Sequence, residues 1–476
     1  MNVTMTTWGT RAIPPVERTD ARLIVDPLGR LRDAHGRDVV MRGINTGGRS
    51  KYAPFLPFII DEGAPIDRVR AAADAFFARL GPWGLDAVRL PFSWEALEPT
   101  RGHIDARYLD RYRTLIDSAW ALGLRVIVDF HQDIYASPFC GDGFPLWTLE
   151  DPDPGPPRHD DPHWFFKYIQ DAAVQRAFDR FWADEDGIQT AFEAMWRRMA
   201  STLADHPGVV GFEIINEPGW GTATDLDAWK REVLTPFHAR LARIIQAEAP
   251  GALVFFDGPG IDALSSRVTH VRPEGEGLVF APHLYDPGLI TGKPWSGMAP
   301  EPPLEAMAEW RDRRATPILL GEFGVGRGAS GGAEWLRRAM DVIDQRRLSA
   351  TLWEHSENEN IWNGEDLSVV DIHGQEREIL DAYVRPWIRA LAGELAGPTG
   401  GFTWDPAAGV CEVRWVQGSG VTEIAIPSRR FPEGPREVDG QGEGFAATWD
   451  PGRAELRVIA DPGAEVALRF CARPAA

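Results

Sequence analysis

Two glutamates in the chain each follow a short apolar run that has the composition of a buried strand. Glu217 ends the stretch GFEIINE, and Glu322 follows TPILLG. Two carboxyl groups on opposite walls of one pocket are what glycosidic hydrolysis needs, because one protonates the leaving oxygen while the other attacks the anomeric carbon or activates water. A separation of about 5 to 5.5 Å would retain the configuration through a glycosyl-enzyme.

Polar side chains near the two glutamates fit this division of roles. Asn216 is placed to hydrogen-bond the sugar 2-hydroxyl, a contact that strengthens in the transition state. Arg89 and Tyr285 would hold Glu322 ionised, whereas Glu217 needs a raised pKa to act as an acid. Further partners for sugar hydroxyls, and a platform for stacking, are expected from His131, Asp133, His283 and Trp353. Taken singly, each residue also has a simpler explanation as a salt-bridged acid or a core side chain.

A metal centre is the alternative interpretation of some of the same residues. His131, Asp133, His283 and Glu322 carry donor groups that divalent cations accept. No HxxE or HxH pair accompanies them, and no Cys/His cluster has the spacing of a zinc site. The sequence therefore disfavours the metal interpretation.

Alternating strands and helices must position these residues. Eight aliphatic or β-branched runs recur, and amphipathic segments such as RYLDRYRTLIDSAWALG and EWLRRAMDVIDQRR between them predict helices. This alternation implies parallel strands with right-handed crossovers, and eight units in about 350 residues predict a (β/α)8 TIM barrel. The predicted strands are residues 38–45, 86–94, 125–133, 209–218, 252–258, 278–286, 316–324 and 349–356.

The ends of these runs favour the barrel over its rival, an open doubly wound sheet. Each run is apolar at first and becomes polar or aromatic at its carboxyl end, which is where barrel enzymes keep their chemistry. No GxGxxG motif follows the first strand, so the phosphate-binding signature of the doubly wound sheet is absent.

Both ends of the chain carry further predicted elements. Residues 21–43 predict a hairpin that closes the barrel floor. Helix eight is expected over residues 375–395, and GPTGG (397–401) has the composition of a linker. Short alternating segments then predict a small antiparallel β-sandwich. The expected domains are therefore a catalytic barrel of residues 1–395 and a sandwich of residues 396–476.

The bulk composition excludes several kinds of partner. The 476 residues carry a net charge of −20, which argues against nucleic acid and against electrostatic docking on anionic lipid. No run of 18 apolar residues occurs, so no transmembrane segment is expected. Residues 1–14 contain no apolar signal region, so a cytoplasmic location is expected unless a secreted precursor was trimmed. The cysteines are few and odd in number, and we expect no disulfide.

Several motifs, taken together and in order, resemble a known family. RLPFSW, NEP, HLY, EFG and the tryptophan after strand eight resemble glycoside hydrolase family 5 of the retaining clan. RGINTGGRSK, VDFHQD, CGDGFPLW and WFFKYIQ are similar to segments of endoglycoceramidases, and this resemblance extends over the whole chain. NEP alone is a short match, whereas the joint set is specific.

The resemblance implies roles for single residues. It makes Glu217 the acid/base and Glu322 the nucleophile of a retaining β-glycosidase that splits the bond between glycan and ceramide in glycosphingolipids. It implies a glycolipid substrate and neither metal nor cofactor. We also allow for transient contact with a membrane surface, and we expect a monomer. Contacts to the first sugar are implied for Lys51, His131, Asp133, Asn216, Tyr285 and Trp353, and a wall of the sugar site for Trp164.

Two apolar stretches follow the first and third strands, where barrel loops face solvent. They are KYAPFLPFII (51–60) and SPFCGDGFPLW (137–147). One alternative is that they line a slot for lipid tails beside the scissile bond. The other is that they pack on each other or on the sandwich, because contiguous exposed apolar patches are uncommon on monomers.

Other activities stay open at this point. The chain is also compatible with a glucosylceramidase or another exo-acting β-glucosidase that takes an apolar aglycone, and with a family 5 β-glucanase or mannanase. A catalytically silent barrel that binds carbohydrate or lipid is a further alternative. It is disfavoured because both carboxylates are present together with Asn216, Arg89 and Tyr285.

Overall fold

A computed structural model describes residues 5–9, 12–357, 360–397 and 401–472. Eight parallel strands form one sheet whose spatial order is β6-β5-β4-β3-β2-β1-β8-β7. Their bounds are β1 (Arg42–Asn45), β2 (Ala87–Phe92), β3 (Arg125–Phe130), β4 (Val209–Glu213), β5 (Leu253–Phe256), β6 (Leu278–Phe280), β7 (Leu319–Leu320) and β8 (Ser349–Leu352).

The sheet closes on itself between β6 and β7. A parallel bridge joins Phe280 to Ile318, and the short strands that follow, His283–Leu284 and Glu322–Phe323, pair in parallel. The predicted TIM barrel is therefore confirmed. The closing pair places His283 directly beside Glu322.

Helices cover the outside of the barrel, as the periodic segments predict. The helix Ala106–Ala121 begins at Asp105, whose side chain accepts from the Tyr108 N–H, and it buries Tyr112 and Ile116 against the sheet. The other long helices are Ile66–Ala78, Ala172–Trp182, Ile188–Leu203, Thr235–Glu248, Glu301–Arg314 and Gly332–Arg346. Short helices are Trp94–Leu97, Lys167–Gln170, Leu226–Trp229 and Leu380–Tyr383. In the described part of the chain, no helix has the length and apolar character to cross a membrane.

The predicted hairpin does close the barrel floor. Ile24–Val25 and Leu31–Arg32 pair antiparallel, and Asp38–Val39 continues the sheet. Leu23, Leu31 and Val39 belong to a buried cluster with barrel residues that include Ala87 and Leu253, the first residues of β2 and β5. Further barrel residues of the cluster are Ile127, Val210, Phe255, Val279, Ala281 and Leu319.

The predicted β-sandwich is present in the C-terminal region. Two antiparallel sheets enclose a second core, to which one sheet contributes Ile424 and Leu456 and the other contributes Val413 and Leu468. The strands are Thr6–Trp8, Trp387–Leu391, Gly393–Leu395, Phe402–Asp405, Val410–Gln417, Thr422–Ala425, Arg436–Gln441, Ala446–Asp450, Glu455–Ile459 and Glu465–Cys471. The three cysteines are unpaired.

The expected eighth helix over residues 375–395 is wrong. Only Leu380–Tyr383 is helical, and Trp387–Leu391 is a strand that pairs with Thr422–Ala425. Pro386 explains the difference, because proline restricts the residue before it and cannot continue a helix. Residues 398–400 of the expected linker lie outside the described residues. The division of the chain at residue 395 stays a prediction.

Candidate active site

The carboxyl ends of the strands bring all the predicted site residues into one connected cluster. Its centre is the pair Glu217 and Glu322. Glu217 lies on the loop after β4, and Glu322 lies in the short strand Glu322–Phe323 that follows β7. One oxygen of each carboxyl lies within 4.8 Å of the other. Separations near 5 Å are typical of retaining glycosidases, whereas inverting enzymes keep the groups about 6.5 to 9.5 Å apart to admit water. The geometry therefore favours nucleophilic attack by one of the carboxylates.

Two donors orient the carboxylate of Glu322. Arg89 Nη1 donates to Oε1 at 2.7 Å, and the Tyr285 hydroxyl donates to Oε2 at 2.9 Å. All three side chains are buried. A carboxylate held at both oxygens by fixed donors is aimed without further reorganisation, which suits a nucleophile.

Glu217 lies in a different environment. Burial raises the pKa of its carboxyl, and this effect outweighs the neighbouring His283, whose Nδ1 lies 2.7 Å from Oε1. The second oxygen, Oε2, faces Gly260, where a Cβ atom would lie only 2.3 Å away. No side chain in the described part of the chain donates to Oε2, and a carboxyl with a raised pKa and one such oxygen suits a general acid.

The backbone at Glu217 is in a left-handed conformation, with a φ of 39°. This conformation costs a residue with a Cβ atom about 1–3 kcal/mol unless its surroundings hold it. Gln132 holds it from one side, since its Nε2 donates to the carbonyls of both Asn216 and Glu217 at 2.8 Å. Asp257 holds it from the other side by accepting the Glu217 N–H at 3.2 Å.

His283 lies between both glutamates and Asp257. Burial alone would lower the pKa of its imidazole, but the carboxylates of Asp257, Glu322 and Glu217 raise it to about 10. Burial also holds the pKa of Asp257 well above its usual range, although His283 opposes the shift. His283 is therefore protonated at neutral pH and donates to Glu217.

Arg89 connects the two glutamate loops beneath the pocket. Its side chain makes two hydrogen bonds to Glu213, at 2.7 and 2.8 Å, and one to Asn216 Oδ1 at 2.8 Å. Asn216 Nδ2 donates one hydrogen to the Gln132 carbonyl at 3.1 Å. Its second hydrogen has no acceptor among the described residues, and the contact of that hydrogen with a sugar 2-hydroxyl stays a prediction.

A cationic side chain and aromatic rings form the opposite wall of the site. Lys51 Nζ donates to Asp133 at 2.7 Å and to Glu365 at 3.2 Å. The same nitrogen lies 4.0 Å from the ring centroid of Trp362 and 4.6 Å from that of Trp353. Polar groups beside indole faces form a surface that suits the hydroxyl edge and the apolar face of a pyranose.

His131 and Trp164 complete this wall. Burial would lower the pKa of His131, but Asp129, with an oxygen 2.8 Å from Nδ1, and Asp133 raise it to about 10. The His131 ring stacks against Trp353 at 5.2 Å between centroids. Trp164 is half-buried, and its ring centroid lies 5.0 Å from that of Trp362. The structure thus brings these predicted residues together with Lys51.

Several residues of the site were missed by sequence reasoning. Glu213 and Asp129 lie inside strands, Asp257 follows β5, and Trp362 and Glu365 lie on the loop after β8. An acid inside an apolar strand, as in VGFEII and VIVDF, is the signal that could have revealed the first two. The other three carry no local signal, because their contacts come from distant loops.

The four residues that suggested a metal do not form one cluster. Among the described residues, His131 and Asp133 group with Asp142, whereas His283 and Glu322 group with Glu217. Lys51 Nζ already binds Asp133 in the first group, and the cation His283 lies inside the second. Both groups therefore have a built-in positive charge where a metal ion would sit.

The two apolar loops are mainly packed into the protein. Leu56, Phe58 and Phe144 are fully or almost fully buried. The ring of Phe58 contacts Phe76 of the helix Ile66–Ala78, and Phe144 packs among aromatic rings of the barrel's outer layer. These side chains are packed, but the ring partners of Phe58 and Phe144 include residues of barrel helices and of strand β3. Among the described residues, none of these partners lies on the other apolar stretch or on the sandwich, where the packing alternative placed them.

The chain is similar to known proteins over most of its length. The family described as cellulase (glycosyl hydrolase family 5) matches residues 33–359. Endoglycoceramidase I of Rhodococcus hoagii is 25% identical to the chain over 92% of the chain and 86% of its own length. An endoglycoceramidase of Cyanea nozakii is 24% identical over 81% of the chain and 78% of its own length.

Solved structures share the fold. Endo-glycoceramidase II from Rhodococcus sp., in complex with a five-membered iminocyclitol, aligns with a TM-score of 0.73 at 24% identity, covering 94% of this chain and 100% of that chain. Since the family match extends over more than half of the sequence, the chain belongs to glycosyl hydrolase family 5.

Proposed function

We propose that the protein hydrolyses the bond between glycan and ceramide in glycosphingolipids, with retention of configuration. The observation that carries the proposal is the pair of carboxyls within 4.8 Å of each other, one held by Arg89 and Tyr285 and the other buried with a raised pKa. The similarity to endoglycoceramidases over most of the chain supports the substrate class.

The mechanism follows from the two environments. Glu322 attacks the anomeric carbon while Glu217 protonates the leaving oxygen through Oε2, and the ceramide departs. Glu217, now ionised, then takes a proton from a water that attacks the glycosyl-enzyme. Asn216 Nδ2 stabilises the transition state through the 2-hydroxyl, and Trp353 supports the sugar ring.

A product assay tests the substrate. Lactosylceramide, galactosylceramide, glucosylceramide, cellobiose and carboxymethylcellulose are incubated separately with the enzyme, and the products are read by mass spectrometry. We expect intact lactose and free ceramide from lactosylceramide, with the β-anomer of lactose detected first by NMR. Release of the α-anomer would contradict the double displacement, and activity on cellulose alone would contradict the lipid aglycone.

A second candidate is an exo-acting glucosylceramidase. Lys51 and Trp362 are both buried, and Lys51 Nζ lies 4.0 Å from the centroid of the Trp362 ring. This candidate takes the pair as a wall that leaves no room for sugars beyond the first. An enzyme of this kind would release glucose from glucosylceramide and leave lactosylceramide intact. The same panel of substrates therefore separates the two candidates.

A further inference from the structure

Asp257 is a buried acid to which the reaction outlined above assigns no part. It follows β5, its side chain is almost fully inaccessible to solvent, and its Oδ1 accepts the Gly258 N–H at 2.6 Å. That bond fixes the rotation of the carboxyl group. The other oxygen, Oδ2, is thereby turned toward the loop that carries Glu217.

Asp257 Oδ2 reaches Glu217 along two routes. It accepts the backbone N–H of Glu217 at 3.2 Å, at the residue whose φ of 39° lies in the left-handed region. It also lies 3.4 Å from Nε2 of His283, whose other nitrogen, Nδ1, is 2.7 Å from Glu217 Oε1. Oδ2 therefore accepts a hydrogen bond from the main chain of Glu217, and it lies at ion-pair distance from the imidazole that contacts the carboxyl group of the same glutamate.

We propose that Asp257 is a positioning residue that aims the Glu217 carboxyl at the leaving oxygen, through the Glu217 N–H and through His283. The inference rests on the proposed acid/base role of Glu217. An acid that is correctly placed matters most when the leaving group is poor, because a good leaving group departs without protonation. If positioning is lost, the fall in kcat/KM should therefore be larger for a poor leaving group than for a good one. A smaller fraction of folded enzyme would lower the activity on both substrates by the same factor.

The test uses Asp257→Asn with two glycosides of the sugar that the enzyme releases. One glycoside has an alkyl aglycone and the other has a 2,4-dinitrophenyl aglycone. We expect kcat/KM to fall about 10²-fold for the alkyl glycoside, at the low end of general acid catalysis, and by no more than about threefold for the dinitrophenyl glycoside. For the dinitrophenyl glycoside, kcat and KM should fall together, because the glycosyl-enzyme accumulates when its base is misplaced.

Two further variants make the outcome decisive. Asp262→Asn is the matched control, since Asp262 lies on the same loop but pairs with Lys230 at 3.0 Å. In this variant the ratio of kcat/KM for the two glycosides should equal that of the unmutated enzyme. Glu217→Gln should lose kcat/KM strongly for the alkyl glycoside and much less for the dinitrophenyl glycoside. If it does not, the proposed role of Glu217 fails.

Suppose that Glu217→Gln loses kcat/KM selectively for the alkyl glycoside, but Asp257→Asn lowers kcat/KM equally for both glycosides or for neither. The inference about Asp257 is then overturned, while the proposed function stands. Melting temperatures are measured for every variant. If the asparagine variant does not fold, Asp257→Ala, which buries no amide, provides the same comparison.

Discussion

Replacing Tyr285 by phenylalanine should slow the second half of the reaction and spare the first. The substitution removes only the hydroxyl that donates to Glu322 Oε2 at 2.9 Å. The ring is buried with Ala263, Trp353 and Leu367, and a phenylalanine ring keeps those contacts. The fold should therefore be retained, and the effect should come from one lost hydrogen bond.

The expected size follows from where the negative charge lies. Glu322 loses its charge as it attacks the sugar and regains it as the glycosyl-enzyme is hydrolysed, so a donor to its carboxylate favours the second step. Hydrogen bonds to charged groups contribute about 1.5–3 kcal/mol. Arg89 still donates to Oε1 at 2.7 Å, so we expect the lost hydrogen bond to raise the activation free energy of deglycosylation by about 1.5–2 kcal/mol. This increase slows deglycosylation about 10- to 30-fold.

Rapid mixing with a dinitrophenyl glycoside separates the two steps. The variant should release a burst of dinitrophenol equal to the enzyme concentration, at a rate no slower than that of the unmutated enzyme, and then turn over about 10- to 30-fold more slowly. Its KM should fall by a similar factor. Intact-protein mass spectrometry should detect the accumulated glycosyl group on the enzyme.

The opposite kinetic pattern would refute this reasoning. If the burst slows while steady turnover does not, the hydroxyl acts on the substrate in the first step rather than on Glu322. Tyr112→Phe is the matched control, because the buried Tyr112 hydroxyl donates to the Leu90 carbonyl at 2.7 Å, away from the pocket. That variant should lower the melting temperature slightly and leave both phases unchanged.

Three other predictions follow from the buried charges. Glu322→Gln should lose nearly all turnover and keep the melting temperature of the unmutated protein within a few degrees, so an active variant would contradict the nucleophile assignment. Burial raises the pKa of Glu354 from 4.5 to about 8. The unfolded chain then releases this proton at lower pH than the folded one, so stability should fall from about pH 4.5 to 8, and Glu354→Gln should flatten that fall in a series of melting curves. Because Lys51 already binds Asp133, a chelator should change activity less than about twofold, and a large loss restored by a divalent cation would argue for a metal.

Much of the site could be predicted because the carboxyl ends of parallel barrel strands lie at one face and bring residues that are distant in sequence together. Asn216, His283 and Glu322 are far apart in sequence, but each lies just beyond a barrel strand, where the carboxyl ends of the strands meet at one face. Arg89 lies inside β2 and reaches the same site with its long side chain. Their pairing, such as Arg89 with Glu322, then follows from charge. The prediction of the eighth helix failed because Pro386 interrupts the segment and Trp387–Leu391 pairs as a strand with the distant Thr422–Ala425.

The residues that were missed depend on contacts that no local pattern encodes. Glu213 is explained only by Arg89, which lies across the barrel interior and makes two hydrogen bonds to it. Trp362 and Glu365 enter the site because the loop after β8 folds back over Lys51. The apolar loops were ambiguous for the same reason, since a run such as FLPFII fits a lipid slot and a helix interface equally well.

The protonation state of the acid is a property of the whole buried network. Three cations, Arg89, His131 and His283, face more acidic groups than they can neutralise. These groups are the carboxyls of Asp129, Glu213, Glu217, Asp257 and Glu322. Burial raises the pKa values of Glu213, Glu217 and Asp257, and neighbouring carboxylates add to each shift, so the excess acids keep their protons. Placing the NEP motif alone at the end of another barrel strand would therefore supply the carboxyl of a general acid without the surroundings that keep it protonated.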